Sequence, residues 1–363
     1  MKRVALLGAT GSIGRQALEI IADHPDLEVC ALASGSADLG ALAAAHGVRH
    51  TQTAGDLVPL LEAAEPDIVL NAVVGFAGLP ATMWALEQGV TLALANKESL
   101  VAAGALAVRA RERGRGLLLP VDSEHSALLQ CLAGHEPDAI AGLVITASGG
   151  PFRGRTREEL LDVTPEQALT HPTWRMGTKI TVDSATLANK GLELIEAHFL
   201  FDLPYDRIEV VVHPGSIVHG LVRLRDGAVL AHLGYPDMRV PISYALTYPE
   251  RSATPVPQLD LGQGLTLEFE APDLETFPLL RLAREAGEAA GTAACAYNAA
   301  NEVAVEAFLA GRLAFLAIAE VVERTLAAAD TSPVDDVDAL TDADARAREH
   351  ARAAIDELEP ARA

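Results

Sequence analysis

The segment Gly8-Ala9-Thr10-Gly11-Ser12-Ile13-Gly14 follows the apolar run Val4–Leu7 and precedes the amphipathic stretch Arg15–Asp23. Glycines between a strand and a helix let the backbone approach a pyrophosphate closely, and the N-terminus of the helix favours the phosphate charge. The spacing is GxxGxxG rather than the commoner GxGxxG, but the strand–turn–helix context is the one that a dinucleotide site requires. The segment therefore predicts a parallel α/β sheet that binds a dinucleotide; the alternative is a tight turn with only a structural role.

Short apolar runs alternate with helical patterns over the first 121 residues, and each run is apolar throughout rather than at every second position. Such runs are typical of a parallel sheet covered on both faces. We predict strands at Val4–Leu7, Val29–Ala33, Ile68–Val74, Thr91–Ala95 and Leu117–Val121. Later patterns predict strands near Leu143–Ala147, Ile208–Val212 and Val218–Arg225, and a helix near Ala185–Phe201.

The predicted fold class is α/β, with several domains along the 363 residues of the chain. They are an N-terminal Rossmann-like parallel sheet domain (1–122), a central α/β domain that is catalytic and connective (123–247), a linker rich in Pro and Gly (248–273) and a C-terminal α-helical domain (274–363).

The charge of the chain limits its partners. It carries 28 basic and 50 acidic residues, a net charge of −22, and such a field repels nucleic acid and anionic membranes. An anionic substrate therefore needs a local basic pocket. Only four of the basic residues are lysines, and we expect Lys97, Lys179 and Lys190 inside the protein, because a compact ammonium suits a tight site better than the planar guanidinium of Arg. The alternative is chance in a small sample.

The predicted location is the cytoplasm, of a bacterial cell. No apolar run is long enough to span a membrane, and the first strand begins directly after Met1-Lys2-Arg3, which leaves no room for a signal or transit peptide. Three scattered cysteines, Cys30, Cys131 and Cys295, form no disulfide framework, which suits a reducing compartment.

The end of the second predicted strand bears on the choice of cofactor. It reads Ala33-Ser34-Gly35-Ser36-Ala37, and no acidic residue occurs before Asp38. An NAD enzyme places Asp or Glu here to bind the ribose hydroxyls. The missing acid favours NADP, whose 2′-phosphate could accept hydrogen bonds from Ser34 and Ser36.

Three carboxylates are candidate metal ligands. Asp122 and Glu124 are two residues apart at the end of a strand, a spacing that predicts both side chains on one face. Glu193, on a later helix, is the third candidate. Oxygen ligands without cysteine favour Mg²⁺ or Mn²⁺ over Zn²⁺. The alternative for the first two is a solvated turn that caps the next helix.

Lys97 lies in Asn96-Lys97-Glu98-Ser99, which ends the fourth predicted strand of the sheet. At this edge a lysine can stabilise a developing oxyanion; the alternative is a surface lysine.

Two segments resemble anion sites. Ser148-Gly149-Gly150-Pro151 offers backbone N–H groups, and the segment from Ser184 to Lys190 places hydroxyls at a predicted helix start, with Asn189 one turn later. Lys190 and Glu193 share a helix face, so one helix could hold both a phosphate and a metal. The alternatives are an ordinary N-cap at Ser184 and a surface ion pair.

The loop His171-Pro172-Thr173-Trp174-Arg175-Met176-Gly177 contains one of only two tryptophans and predicts a lid that excludes water; a packed surface loop is the alternative. His219 is a further polar candidate, although a single histidine on a strand is more often structural.

Together these segments resemble the 1-deoxy-D-xylulose 5-phosphate reductoisomerase family over essentially the whole chain. The matching segments are GATGSIG at 8–14, LANKESL at 94–100, LPVDSEH at 119–125, ASGGPF at 147–152, HPTWRMG at 171–177, VDSATLANKGLELIEA at 182–197, HPGSIVH at 213–219, YPDMR at 235–239 and NAANE at 298–302. The chain departs from the family pattern at Ser36-Ala37, at Gly215, where Gln is usual, and in a shorter region between 38 and 66.

The resemblance implies a role for each matching position. The metal ligands would be Asp122, Glu124 and Glu193. The keto and hydroxyl end of the substrate would contact Lys97, Ser123 and Glu124, and its remainder, chiefly the phosphate, would contact Ser148, His171, Ser184, Asn189 and Lys190. Trp174 and Met176 would belong to the closing loop, and His219 would line the pocket. NADPH would face Thr10, Gly11, Ser12, Ile13, Gly35, Asn96, Glu98 and Gly177.

The implied reaction is the NADPH-dependent rearrangement and reduction of 1-deoxy-D-xylulose 5-phosphate to 2-C-methyl-D-erythritol 4-phosphate in the non-mevalonate isoprenoid pathway. The implied metal is Mg²⁺ or Mn²⁺, with Co²⁺ also possible, and the implied assembly is a homodimer. A retro-aldol and aldol sequence and a 1,2-shift both remain open as routes. The competing hypotheses are a reductase or dehydrogenase of the aspartate pathway, which needs no acid triad, and a nucleotide-sensing protein without catalysis, against which the three carboxylates argue.

Overall fold

The computed structural model describes residues 1–358, which form two compact units. Unit 1 contains Met1–Leu100, Gly104–Ala133 and Asp237–Leu259. Unit 2 contains Val101–Ala103, Gly134–Pro236 and the chain from Asp260 onward. The chain thus returns to unit 1 at residues 237–259, a return that the predicted domain boundaries do not include.

Unit 1 is built on a parallel sheet in the order β3-β2-β1-β4-β5-β6. Its strands are β1 (Lys2–Leu7), β2 (Leu27–Ser34), β3 (His50–Thr53), β4 (Ile68–Asn71), β5 (Thr91–Leu94) and β6 (Leu118–Pro120). The order reverses between β1 and β4, and a parallel sheet opens a ligand crevice at the carboxyl ends of such a pair. The predicted parallel sheet is confirmed, and β3 is an additional edge strand.

Helices cover this sheet and share its apolar core. They are α1 (Ser12–Asp23), α2 (Gly40–His46), α3 (Val58–Ala64), α4 (Leu79–Glu87), α5 (Lys97–Gly114), α6 (Ser123–Leu132) and α10 (Arg239–Thr247). Leu6, Leu70 and Ala93 of the strands are fully buried in the same cluster as Ile21 of α1 and Ile242 of α10. Burial of this kind contributes about 1.5–3 kcal/mol for each large aliphatic side chain, and it fixes the strand ends that carry polar residues.

Unit 2 combines a second sheet with helices. Its strands, in the order β10-β9-β7-β8, are β7 (Ile140–Ala147), β8 (Ile208–Val212), β9 (Val218–Leu224) and β10 (Val229–Leu233). Only β7 and β8 pair in parallel. Its helices are α7 (Pro165–Ala168), α8 (Thr178–Ala185), α9 (Ala188–Phe201), α11 (Leu279–Ala289), α12 (Ala293–Leu309), α13 (Ala317–Ala328) and α14 (Val337–Leu358).

The helix predicted near Ala185–Phe201 is confirmed as α9, but it begins at Ala188, and a further helix, α8, precedes it. The chain forms two helices, α8 and α9, which are separated at Leu187, where φ is +61°. Ser184 therefore lies in the last turn of α8 and not at a helix start. None of the helices in residues 1–358 is long and apolar enough to cross a lipid bilayer.

Candidate active site

The glycine turn joins β1 to α1 at the carboxyl edge of the unit 1 sheet. Gly8 has a φ of +85°, and a Cβ on it would lie 2.5 Å from the carbonyl oxygen of Ala72. A Cβ on Gly14 would lie 2.4 Å from the carbonyl oxygen of Gly8. Gly11 caps α1 without a side chain, so the first N–H groups of the helix can bind an anion. The exposed or half-buried residues of this turn are Gly8, Thr10, Gly11, Ser12 and Ile13.

The end of β2 offers fewer donors than the sequence suggested. The Ser34 hydroxyl is buried and donates to the Ala37 carbonyl at 2.6 Å, so Ser34 is not a donor for a ribose phosphate. Ser36 is exposed, and a Cβ on Gly35 would meet no atom within 4 Å. The backbone at Gly35 is therefore open to a ligand.

Asn96 holds the loop after β4 against the start of α5. Its Nδ2 donates to the carbonyl oxygens of Val73 (2.6 Å) and Gly75 (2.8 Å), and its Oδ1 accepts from the Ser99 backbone at 3.1 Å. Asn96 also donates to Glu98, and both are buried. The side chain of Asn96 thus shapes the cofactor edge of the sheet through this loop.

A buried ion pair lies at the same edge. The Nζ of Lys97 is 2.8 Å from Oδ2 of Asp122, and the two side chains are only 7% and 9% exposed. The other oxygen of Asp122 caps α6 by accepting from the backbones of Glu124 (3.1 Å) and His125 (3.3 Å). Ser123 Oγ donates to Glu124.

This geometry corrects two expectations. Asp122 and Glu124 lie beyond the end of β6, so strand alternation is not what brings them together, although carboxylate oxygens of the two do lie within 4.8 Å of each other, as predicted. Asp122 does cap the next helix, as the alternative had it, but it does so while paired with Lys97. The surface alternative for Lys97 is wrong.

His171 connects two serines in unit 2. Its Nε2 lies 2.9 Å from Ser148 Oγ and 3.1 Å from Ser184 Oγ. Its Nδ1 accepts from the backbones of Thr173 (3.1 Å) and Trp174 (2.9 Å), so the hydrogen of a neutral ring is on Nε2. Burial, and then the charge of Lys190, lower the pKa of His171 to about 4, so the ring is neutral at pH 7.

The start of α9 presents the remaining groups of this site. The Nζ of Lys190 lies 2.6 Å from Glu193 Oε2, and Asn189 Nδ2 donates to Glu193 Oε1 at 2.5 Å. All three side chains are buried. The predicted pairing of Lys190 with Glu193 on one helix face is confirmed, and the surface alternative is wrong.

The loop between His171 and Gly177 has no regular structure and leads into α8, which Gly177 caps. The ring of Trp174 lies 6.1 Å from that of His219, centroid to centroid. His219 is buried on β9, its Nε2 lies 3.2 Å from the Gly234 carbonyl oxygen, and its ring is 5.8 Å from that of His232. Sequence reasoning missed His232, because β10 was not predicted as a strand.

The candidate residues thus fall into a group in each unit. Unit 1 holds the glycine turn, the Lys97–Asp122 pair and Glu124, which can bind a dinucleotide and supply a cation and carboxylates. Unit 2 holds hydroxyls, a neutral histidine, a lysine and Glu193, which together can bind a phosphate group and supply one carboxylate.

Three family models match the chain. They describe 1-deoxy-D-xylulose 5-phosphate reductoisomerase (residues 4–54 and 37–104), its C-terminal domain (118–201) and the DXP reductoisomerase C-terminal domain (233–350). Curated relatives of the same name include those of Mycobacterium marinum, 51% identical over 99% of this chain and 94% of the relative, and Mycobacterium tuberculosis, 50% identical over 97% and 90%.

Solved structures agree with these matches. A DOX-P reductoisomerase in complex with NADPH, fosmidomycin and magnesium has a TM-score of 0.91 and 39% identity, with 99% of both chains covered. The reductoisomerase of Zymomonas mobilis in complex with NADPH has a TM-score of 0.89 and 40% identity over 98% of this chain and 100% of the other. The chain belongs to the 1-deoxy-D-xylulose 5-phosphate reductoisomerase family.

Proposed function

We propose that the chain converts 1-deoxy-D-xylulose 5-phosphate to 2-C-methyl-D-erythritol 4-phosphate with NADPH and a divalent metal ion, as a step of isoprenoid biosynthesis. The observation that carries the proposal is the buried Lys97–Asp122 pair at the same sheet edge as the glycine turn. A cation and a carboxylate are thereby placed beside the dinucleotide site. Family membership supports an NADP-dependent oxidoreductase that also isomerises its substrate.

The proposed metal ligands are Asp122, Glu124 and Glu193. All three are carboxylates, two half-buried and one buried, and oxygen ligands of this kind fit Mg²⁺ or Mn²⁺. Asp122 and Glu193 each have a lysine partner within their own unit, which offsets the cost of burying their charge. The solved relative with magnesium supports the choice of ion.

The proposed NADPH contacts are the glycine turn and the neighbouring strand ends. The open N–H groups at the start of α1 and the close approach at Gly8 fit a pyrophosphate. The residues proposed to face NADPH are Thr10, Gly11, Ser12, Ile13, Gly35, Asn96, Glu98 and Gly177. Of these, Asn96 acts through the loop that it holds, because its amide is engaged with Val73 and Gly75.

The proposed phosphate subsite consists of Ser148, His171, Ser184, Asn189 and Lys190. Since the Nε2–H of neutral His171 points at two serine oxygens, the hydroxyl hydrogens of those serines can turn outward and donate to a phosphate. Lys190 supplies a buried positive charge at this subsite in a chain whose net charge is −22. Lys97, Ser123 and Glu124 are proposed to contact the keto end of the sugar, with Trp174 and His219 covering it.

The residues of the chain then have distinct tasks in the reaction. When bound, the divalent ion would polarise the ketone and its neighbouring hydroxyl, and NADPH would supply the hydride that reduces the aldehyde. The Nζ of Lys97, which is paired with Asp122, would also stabilise negative charge on a substrate oxygen. The phosphate subsite supplies binding energy away from the reacting carbons, which holds them in position. Trp174 and the loop around it exclude water.

We also propose that residues 1–122 bind the cofactor and supply Lys97 and Asp122, that residues 123–247 carry the other metal and substrate groups and the dimer contact, and that residues 274–363 form a helical domain after the linker at 248–273, of which 359–363 lie outside the described residues. Exposed apolar side chains in unit 2 support a homodimer, since exposed patches at a sheet edge are typical of interfaces. They include Val229 and Leu233 of the edge strand β10 and also Leu265, Leu267 and Phe269. The three free cysteines support a reducing cytoplasm.

A single assay tests the proposed function. Purified protein is mixed with NADPH, Mn²⁺ and 1-deoxy-D-xylulose 5-phosphate, and the loss of NADPH absorbance is followed. We expect consumption that requires all three additions, and sedimentation of the same sample tests the dimer. Absence of NADPH consumption with folded protein and saturating metal would contradict the proposal.

A further inference from the structure

The segment NAANE (298–302) lies within α12, and one of its side chains contacts the helix that carries Ser184. Asn301 is completely buried, and its Nδ2 lies 2.8 Å from Oδ1 of Asp183. A carboxylate can only accept, so the amide of Asn301 must be the donor. Asp183 is the residue directly before Ser184 on α8. The C-terminal helices are thereby bonded to the residue next to a proposed phosphate ligand.

Asp183 is held at both of its oxygens. Its side chain is 1% exposed, and its other oxygen lies 2.7 Å from the Nζ of Lys179, one turn earlier on α8. A buried carboxylate is tolerated only when it is paired and hydrogen-bonded, so the positions of Lys179 and Asn301 together determine where Asp183 can lie.

A second residue of α12 contacts the start of α9. Tyr297 is one turn before Asn301 and lies on the same face of the helix. A Cβ on Gly191 would lie 2.9 Å from the Tyr297 hydroxyl oxygen, and Gly191 directly follows Lys190. Tyr297 is itself fixed by donating to the Leu279 carbonyl at 3.1 Å. One face of α12 therefore contacts the residues next to both Ser184 and Lys190.

Ser184 is confined from the opposite direction as well. A Cβ on Gly150 would lie 2.6 Å from the carbonyl oxygen of Ser184, so the turn after β7 fits closely against the last turn of α8. Gly150 follows Ser148 by two residues and has a φ of +68°. The backbone of Ser184 thus lies between this turn and the Asp183–Asn301 contact.

Burying the Asn301 amide lowers the free energy of unfolding at one of its atoms. The carbonyl oxygen of the Asn301 amide accepts no hydrogen bond from any described residue. A buried polar atom without a partner costs about 1–3 kcal/mol, which offsets much of what the hydrogen bond to the Asp183 carboxylate contributes. The net gain in stability from the Asn301 side chain is therefore small, and its main consequence is the fixed position of Asp183.

We propose that Asn301 is a positioning residue for the substrate phosphate. It acts through Asp183, and it sets where Ser184 lies relative to His171 and Lys190. The proposal rests on the proposed function, because it deepens the role of the same phosphate subsite.

The test is the substitution Asn301→Ala in the full chain, with Asn298→Ala as the matched control. Both asparagines are completely buried on α12, and each substitution removes one side-chain hydrogen bond, but Asn298 donates to Glu302 rather than to α8. We expect Asn301→Ala to raise the KM for 1-deoxy-D-xylulose 5-phosphate and the inhibition constant of inorganic phosphate about tenfold, an effect typical of one lost charge-assisted hydrogen bond. The KM for NADPH and kcat should stay close to those of the wild type.

Each outcome decides the matter. If Asn301→Ala leaves both phosphate-dependent constants equal to those of Asn298→Ala, the proposal is wrong. If Asn301→Ala does not fold, Lys179→Met removes the other contact of Asp183, and unchanged constants in that variant also contradict the proposal. A wild-type protein that consumes no NADPH with this substrate would refute the proposed function, and the positioning role with it. An active wild type with an unaffected variant would refute the positioning role alone.

Discussion

Two buried lysine–carboxylate pairs within residues 1–358 are built in different ways. Lys97 and Asp122 are 25 residues apart and meet because they follow the neighbouring strands β5 and β6. Lys190 and Glu193 are three residues apart on one helix. The first pair depends on the order of strands in a sheet, whereas the second depends on where α9 begins. The same chemistry is thus obtained from long-range topology in one unit and from a local helix repeat in the other.

Neutralising the carboxylate of each pair gives the largest expected effect. We expect Asp122→Asn and Glu193→Gln each to lower kcat by about a thousandfold, since the loss of a metal ligand costs several kcal/mol of barrier at about 1.4 kcal/mol for each tenfold in rate. If the two carboxylates share one ion, the losses should be similar. Turnover at saturating Mn²⁺ is measured by NADPH absorbance, and circular dichroism checks the fold.

Glu209→Gln is the control for these two variants, because Glu209 is an exposed carboxylate paired with Arg223 on the surface of the unit 2 sheet. It should retain wild-type turnover. A variant at position 122 or 193 with near wild-type kcat would show that its carboxylate is not a ligand.

The next largest effect is expected from a substitution in the glycine turn. It tests the role of this turn apart from that of the neighbouring Lys97–Asp122 pair. In Gly14→Ala the added methyl would lie 2.4 Å from the Gly8 carbonyl oxygen, and overpacking of this kind typically costs about 1–3 kcal/mol. We expect the Kd for NADPH to rise at least about tenfold. Inhibition by inorganic phosphate should not change, because the residues proposed to bind the phosphate lie in unit 2. NADPH fluorescence titration measures the first quantity.

Gly215→Ala is the control, since a Cβ there meets only His213 at an ordinary distance of 3.5 Å. Equal NADPH affinity in Gly14→Ala and the wild type would show that the glycine turn has no part in binding the cofactor.

A smaller effect distinguishes the two nitrogens of His171. In His171→Asn the amide oxygen can replace Nδ1 and keep the contacts with Thr173 and Trp174, but the Nε2–H near the serines is lost. We expect the KM for the phosphorylated sugar to rise about tenfold, with kcat changed little. In His171→Gln the amide nitrogen can replace Nε2 while the loop contacts are lost, so kcat should fall more than KM rises. Steady-state kinetics with varied concentrations of the sugar phosphate measure both constants. If the two variants behaved alike, the roles assigned to Nδ1 and Nε2 would both be wrong.

The sequence predicted the parts of the molecule that local pattern determines. The uninterrupted apolar runs located β1, β2, β4, β5 and β6, because strands buried on both faces contain few polar residues. The glycine spacing located the turn, since only glycine fits at Gly8 and Gly14. The scarcity of lysine pointed to Lys97, Lys179 and Lys190, of which Lys97 and Lys190 are buried and Lys179 is half-buried.

Other features could not be predicted, for physical reasons. The edge strands β3 and β10 alternate between half-buried and exposed residues, so their patterns resemble loops. The break between α8 and α9 occurs at Leu187, a residue type that rarely adopts a positive φ, and no glycine or proline marks it. The contact of Asp183 with Asn301 joins residues 118 positions apart, and only the folded structure brings them together.

The smallest expected effect concerns the titration of His171, which tests how far the Lys190–Glu193 pair influences the rest of its unit. The pKa of His171 is about 4 in the folded protein against 6.5 for an ordinary histidine. The unfolded chain therefore binds the proton more readily, and between pH 6.5 and about 4 this histidine makes the protein less stable as the pH falls. Below pH 4 both states are protonated, and its contribution changes no further.

Substituting Lys190→Met removes a positive charge near the ring, so the pKa of His171 should rise. It should remain below 6.5, because burial is the larger of the two causes and Lys190 only the second. NMR titration of the imidazole in both proteins measures this change, and Lys2→Met, which lowers the net charge equally but lies on the exposed start of β1 in unit 1, is the control. A midpoint near 6.5 in the wild type would mean that the ring is not buried as described. If Lys190→Met does not change the titration midpoint of His171, the charge of Lys190 does not affect the pKa of this histidine.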